Sequence, residues 1–134
     1  MRQREKKEKQ CKNCNNFIMN GKTYCDNKCQ LDFQSKRYIL EWKAGKQNGV
    51  RSLKTYTVSR HIMKYLRERC NDSCESCGWN EINHYTNRVP IEVDHIDGDA
   101  SNNKEENLRM LCPNCHSLTP TFRNTGNRKS KRIR

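Results

Sequence analysis

Apolar residues are scarce in this sequence. They make up 32% of its 134 residues, and the mean hydropathy is −1.21. A chain this short and polar cannot bury a large apolar core, and scaffolds of that kind need covalent or metal staples. No apolar run approaches the length of a membrane-spanning helix, so no such helix is expected. No apolar stretch follows Met1 either. The sequence opens on MRQREKKEKQ, which does not read as a secretory signal. No basic amphipathic helix with an apolar face stands out, which argues against a membrane surface as partner. There is no solenoid-type repeat.

Cysteine and positive charge are abundant. The nine cysteines fit either disulfides in a secreted protein or metal sites in a reducing compartment. With no secretory signal read at the start, they are taken as metal ligands and the chain as cytoplasmic. Twenty-seven Lys and Arg against 15 Asp and Glu give a net charge of +12. That excess points to a polyanionic partner, nucleic acid above all, although a basic surface can also serve solubility alone.

Cys11, Cys14, Cys25 and Cys29 form one quartet. Cys74, Cys77, Cys112 and Cys115 form another, its two pairs separated by 34 residues. Two residues between paired cysteines, or three in the Cys25–Cys29 pair, let both thiolates reach one ion from a tight turn, and four thiolates satisfy a tetrahedral Zn²⁺ with no position left for substrate. Both sites are therefore expected to be structural, with zinc supplying folding free energy on the order of 10 kcal/mol. Cys70 is left over as a half-buried thiol or as a substitute for Cys74.

Five stretches follow from the pattern. Residues 1–10 form a charged tail expected to be disordered. Residues 11–45 hold the first knuckle, with Asn20-Gly21 as a hairpin turn, and a helix capped by Asp26 or Asn27 that ends at Gly45. Residues 46–58 read as a basic linker. Residues 59–122 form the core: a helix capped by Ser59 and running from Arg60 to about Arg69, a short strand through Val89, Ile91 and Val93, a polar loop, a strand at Leu108–Leu111, and a helix opening at Pro113. Residues 123–134 form a basic tail. Arg51, Lys54, Arg60, Lys64, Arg67, Arg123 and Arg128 are the candidate phosphate contacts, the alternative being charges that are merely solvated.

Between the second pair of knuckles stand Asp94-His95, Asn107-Leu108 and Cys112-Pro-Asn-Cys115-His116. A neutral imidazole takes a proton from water near pH 7, so His95 suits a general base. Asp94 and His116 supply one oxygen and one nitrogen to a divalent ion while leaving most of its coordination positions open. Asn107 suits an orienting role, its amide fixing the backbone that carries His95. Taken singly, His95 fits a surface histidine, His116 an alternate zinc ligand and Asn107 a turn residue. Asp97 and Asp99 lack the twelve-residue pattern of a Ca²⁺ loop and read as loop residues. His61 and His84 read as structural or exposed.

Through His95, Asn107 and His116, with Asp94 before them and four cysteines around them, residues 70–122 resemble the HNH endonuclease family. The Cys77-Gly-Trp79 turn and LCPNCHSLTPT at Leu111 to Thr121 resemble small phage and bacterial HNH proteins, some of them homing endonucleases. The resemblance implies an α+β, zinc-stabilised ββα-metal nuclease core preceded by a four-cysteine zinc knuckle and helix. It also implies a catalytic divalent ion such as Mg²⁺ or Mn²⁺, double-stranded DNA as substrate, and a bacterial or phage-infected cell as the setting. A monomer is the simplest expectation. A zinc protein that binds DNA or RNA without cutting it, such as a regulator, is the alternative.

Overall fold

The computed structural model describes residues 9–18, 21–52 and 57–124. The chain divides into two compact units, Met1–Gln47 and Asn48–Arg134. Each is small and mixes short strands with helices, the expected α+β architecture. No helix among the described residues is long and apolar enough to cross a membrane.

In the first unit, β1 (Lys9–Gln10) pairs antiparallel with β2 (Phe17–Ile18). The pairing corrects the expected tail at its inner end: Lys9 and Gln10 are strand, while residues 1–8 lie outside the described residues. The turn between the strands carries Cys11 and Cys14. It closes through bonds from Cys11 N to the Asn16 carbonyl (2.8 Å) and from Asn15 N to the Cys11 carbonyl (2.9 Å). Gly21 has φ +71°, the left-handed conformation that the Asn-Gly signal calls for, while Asn20 lies outside the described residues.

Helix α1 runs Asn27–Lys43. Asp26 caps it, its carboxylate accepting from Cys29 N at 2.7 Å, which satisfies one of the otherwise orphaned first-turn donors. Beyond its end, Gly45 turns left-handed and its N–H bonds to the Trp42 carbonyl at 2.9 Å. Trp42 is buried, whereas Leu31 and Leu40 are exposed. Lys36 reaches Asn13 at 3.1 Å and ties the helix to the knuckle turn.

The second unit opens with β3 (Val50–Ser52) paired antiparallel with β4 (Thr57–Val58), with a register irregularity between Val50 and Ser52. The expected linker is therefore a hairpin over its described part. Its β-branched Val50, Thr57 and Val58 suit a pleated, half-buried surface, and Ser59 N bonds to the Gly49 carbonyl at 2.8 Å. Helix α2 runs Arg60–Arg69 behind its Ser59 cap and buries Ile62 and Leu66 completely.

Val89, Ile91, Leu108 and Met110 of this unit are buried as well. The strand expected to start at Val89 starts later. β5 is Glu92–His95 and pairs antiparallel with β6 (Leu108–Leu111). The reason is local: Pro90 has no N–H to give a ladder, and Arg67 takes the Val89 and Ile91 carbonyls (2.8 and 3.5 Å). Helix α3 (Pro113–Ser117) follows β6 after Cys112, which is its N-cap. The order β5, loop, β6, α3 is the expected ββα arrangement.

Candidate active site and metal centres

The thiols of each quartet lie within 4.8 Å of one another. A tetrahedral Zn²⁺ with Zn–S near 2.3 Å separates its sulfurs by about 3.8 Å. Cys77 and Cys112 stand 3.8 Å apart and Cys14 and Cys25 stand 3.7 Å apart, while Cys25 and Cys29 are closer at 3.1 Å. Both donor sets therefore fit zinc. Cys70 is in neither cluster: its thiol faces the Arg67 carbonyl at 3.5 Å.

Backbone geometry prepares these sites for thiolates. Burial disfavours charge at Cys74, but N–H groups of Cys112, Cys77 and Ser76 outweigh it and lower its pKa to about 6. Cys11 behaves alike, burial opposed by N–H groups of Cys14, Asn13 and Cys25, and also falls to about 6. Cys25 moves the other way, to about 12, because its thiol hydrogen-bonds to Cys29 amid crowded sulfurs. A cation is what lets all four ionise together. Gly78 closes the second knuckle at φ +76°, with its N–H on the Cys74 carbonyl at 2.8 Å. Trp79 and Cys115 pack against Cys74, Leu111 and Cys112.

Adjacent residues on a strand face opposite sides, and β5 uses this at its end. Asp94 is buried. Its Oδ2 accepts from Arg109 Nε at 2.8 Å, across the ladder where the two residues are paired. Its Oδ1 lies 3.6 Å from His116 Nε2 on α3. The other imidazole nitrogen, Nδ1, is 2.7 Å from Glu92 Oε2. An ionised carboxylate only accepts, so Nδ1 carries the proton, and Nε2 faces the Asp94 carboxylate. Nε2 and the Asp94 carboxylate thus offer one nitrogen and one oxygen, a donor set that suits a divalent ion. Adjacent ligands at roughly 2.1 Å from one ion are about 3.0–3.4 Å apart, so a few tenths of an ångström would close the pair around it. Phe122 meets the His116 ring edge-on, centroids 5.4 Å apart.

His95, half-buried, turns elsewhere. Its Nε2 is 2.8 Å from Asn103 Oδ1. The loop after it is bracketed by its own polar side chains. Asn107, buried, accepts from Asp97 N (3.0 Å) and donates to Asp97 Oδ1 (2.9 Å) and to the Asn102 carbonyl (2.8 Å). Ile96 N bonds to the Asn107 carbonyl at 3.0 Å. Asp97 sits below the usual carboxylate range because the Asn102 side chain, the Asp99 N–H and Asn107 all donate to it. Asp99 is lowered likewise by the Ser101 hydroxyl and N–H. Both aspartates are engaged within the loop, in keeping with their reading as loop residues.

The structure thus brings Asp94 and His116 together and sets His95 on the neighbouring position. Sequence reasoning missed Glu92, Asn103 and Arg109. Glu92 could have been found by the period of two, since it stands two residues before Asp94 on one strand face. Asn103 and Arg109 carry no spacing signal of their own.

Residues 74–119 match the family model described as HNH endonuclease. Over this segment, about a third of the chain, the protein is similar to HNH endonucleases. A 49-residue stretch, 36% of this chain, is 50% identical to the H-N-H endonuclease F-TflIV of Escherichia phage T5, of which it covers 20%. A 61-residue stretch, 46% of the chain, is 36% identical to the Zorya protein ZorE of Escherichia coli and covers 16% of it. The chain therefore spans a fifth or less of the length of these curated relatives. No solved structure gives a significant match. The HNH segment holds Asp94, His95, Asn107, His116 and the whole second cysteine quartet.

The basic residues are less uniform than their sequence suggested. Arg67 is a correction: its Nε pairs with Asp72 at 2.7 Å and its other nitrogens hold Val89 and Ile91, so it serves the fold. Arg51, Arg60 and Lys64 are exposed, with Lys64 3.9 Å from Glu68. Arg123 lies over the Phe122 ring, 5.1 Å from its centre, within the turn Phe122–Asn124. Lys54 and Arg128 lie outside the described residues.

Proposed function

We propose that this protein is a metal-dependent endonuclease that hydrolyses phosphodiester bonds in double-stranded DNA, with His95 as general base and Asp94 and His116 as ligands of one divalent ion. The observation that carries the reading is the approach of Asp94 Oδ1 to His116 Nε2 at 3.6 Å inside an HNH segment. Mg²⁺ or Mn²⁺ held there supplies Lewis acidity to the scissile phosphate and to the departing 3′-oxygen. His95 takes the proton of the attacking water. Glu92 fixes the His116 tautomer so that Nε2 is the ligand atom, as carboxylates commonly do behind metal-binding imidazoles. Arg109 holds the second Asp94 oxygen. Asn107 braces the loop that follows His95. Zinc in both quartets is structural, and Arg51, Arg60, Lys64 and Arg123 contact phosphates, joined by Lys54 and Arg128. The setting in this reading is the cytoplasm of a bacterial or phage-infected cell, with a homing role by resemblance to phage HNH enzymes and with the chain acting as a monomer.

The test is nicking of supercoiled plasmid by zinc-loaded protein with Mg²⁺ or Mn²⁺, with and without EDTA. Metal-dependent cutting that His95→Ala abolishes while DNA binding persists is the expected result. Binding with no cutting under any divalent ion would instead favour a non-catalytic zinc regulator of DNA or RNA. Binding is expected to weaken with salt at a slope of about −0.9 per phosphate neutralised.

A further inference from the structure

His95 makes its side-chain hydrogen bond to a residue that sequence reasoning passed over. Asn103 is buried, 4% exposed, in the loop between β5 and β6. An asparagine amide can be turned either way, so which of its atoms faces His95 must be argued from its surroundings. On its other side the amide faces the Asn48 main-chain carbonyl, with Nδ2 at 3.4 Å. A carbonyl oxygen only accepts, so the NH₂ group belongs on that side. That leaves Oδ1, an acceptor, 2.8 Å from His95 Nε2. Nε2 must then carry the hydrogen, and the lone pair of the neutral ring is on Nδ1.

We propose that Asn103 is a positioning residue for His95: its amide oxygen holds Nε2–H, so that Nδ1 is the nitrogen presented to water. The inference rests on the reading of His95 as general base. An imidazole free to rotate and to exchange tautomers offers the correct lone pair only part of the time. A buried acceptor removes both freedoms, and the bond from Asn103 to the Asn48 carbonyl in turn anchors that acceptor. In the proton transfer, water gives its proton to Nδ1 as its oxygen bonds to phosphorus, while the P–O3′ bond breaks and the departing 3′-oxygen takes a proton from solvent. The imidazolium so formed keeps its Nε2–H on Asn103 Oδ1, where an oxygen acceptor stabilises the new positive charge.

The experiment uses the full chain loaded with zinc and assayed with Mn²⁺ on duplex DNA, comparing Asn103→Leu with Asn103→Asp. Leu removes the acceptor for His95 and the donor for Asn48. Asp keeps the acceptor and removes only the donor. The expected result is a kcat lowered roughly 10- to 100-fold by Leu with KM little changed, and a kcat restored to within about threefold of wild type by Asp. Equal losses in both variants would show that Asn103 merely ties the loop to Asn48, and would overturn the proposal. An unchanged kcat in Leu would do the same.

Imidazole ¹⁵N spectra of the uncut, DNA-free protein, with the His95 signal assigned by its loss in His95→Ala, give a second readout. Nε2–H with a bare Nδ1 is expected, and an Nδ1–H tautomer overturns the assignment even if Asn103→Leu fails to fold. Full cutting by His95→Ala would refute the general-base role while leaving the spectrum as expected, so the two failures are distinguishable.

Discussion

Asn107 offers the sharpest test of how the loop after β5 is held. Its side chain makes three bonds, to Asp97 N, Asp97 Oδ1 and the Asn102 carbonyl, from a position 8% exposed. At a net value of about 1 kcal/mol each, and allowing for water reaching the exposed Asp97, Asn107→Ala is expected to cost about 2–3 kcal/mol. In a small domain that lowers the melting temperature by roughly 10–20 °C. Asn107→Asp is the more telling change because it preserves shape. It keeps the acceptor for Asp97 N but sets a carboxylate oxygen where Nδ2 stood, 2.9 Å from Asp97 Oδ1 and 2.8 Å from the Asn102 carbonyl. Near neutral pH it should be at least as destabilised as the Ala variant.

The pH dependence separates the two variants. Asp97 is held below its usual range chiefly by Asn102, then by the Asp99 N–H and Asn107. A depressed carboxyl stabilises the fold fully above its unfolded pKa and loses that contribution as pH falls through the folded value. The Ala deficit is therefore expected to be flat from about pH 8 to about pH 5.5 and to narrow only below about pH 4. The Asp deficit narrows earlier on acidification, because the introduced carboxyl beside Asp97 protonates more readily and then donates as the amide did. Thermal unfolding of zinc-loaded protein across this range is the assay. An Asp variant that melts with wild type at neutral pH would refute the orientation assigned to the Asn107 amide.

Three further outcomes follow from the same geometry. Glu92→Ala frees Nδ1 of His116 and should weaken Mn²⁺ binding roughly tenfold, measured calorimetrically on zinc-loaded protein; an unchanged affinity would remove Glu92 from the site. Cys74→Ser or Cys112→Ser should unfold the second unit, and near-native circular dichroism and melting in either would count against structural zinc there. Arg109→Leu leaves the buried Asp94 carboxylate without its partner and should cost about 1–2 kcal/mol, given that Arg109 itself is partly exposed. That cost should shrink when saturating Mn²⁺ is added, and a loss indifferent to Mn²⁺ would place the ion elsewhere.

Much of the site was legible in the sequence because its residues sit in local patterns. Paired cysteines declare themselves by spacing, whereas Asp94, His95 and His116, each of which singly fits a structural role, stand out together through the resemblance to HNH enzymes. Helix caps were legible from local pattern: Asp26 and Ser59 stand just before an apolar periodicity, and both cap as expected. What could not be read depends on tertiary partners. Nothing in the chemistry of Arg67 separates a phosphate contact from an inward clamp, since the difference lies in the carbonyls of Val89 and Ile91. The β3–β4 hairpin was hidden because Gly49 and its neighbours read as breakers. The start of β5 moved from Val89 to Glu92 because Pro90 and Arg67 act on the same carbonyl-rich stretch. Asn103 could be any loop asparagine until its distances to His95 and Asn48 are known.

The elements that position the site are too short to hold themselves. β5 and β6 have four residues each and α3 has five, well below the lengths at which an isolated hairpin or helix is stable in water. Their order is set from the thiolate site. Cys112 is the N-cap of α3 and accepts from Cys115 N at 3.5 Å, and His116 N bonds to the Cys112 carbonyl at 2.9 Å. The direction in which His116 leaves the helix is therefore tied, through one turn of backbone, to the sulfur atoms that zinc would grip. On the other side, Glu75, next to Cys74, accepts from Met110 N on β6 and binds Arg69 of α2 at 2.8 Å. A structural ion that meets no substrate can in this way govern the distance between Asp94 and His116. Loss of zinc would then be expected to abolish cutting before any change in the reacting residues themselves.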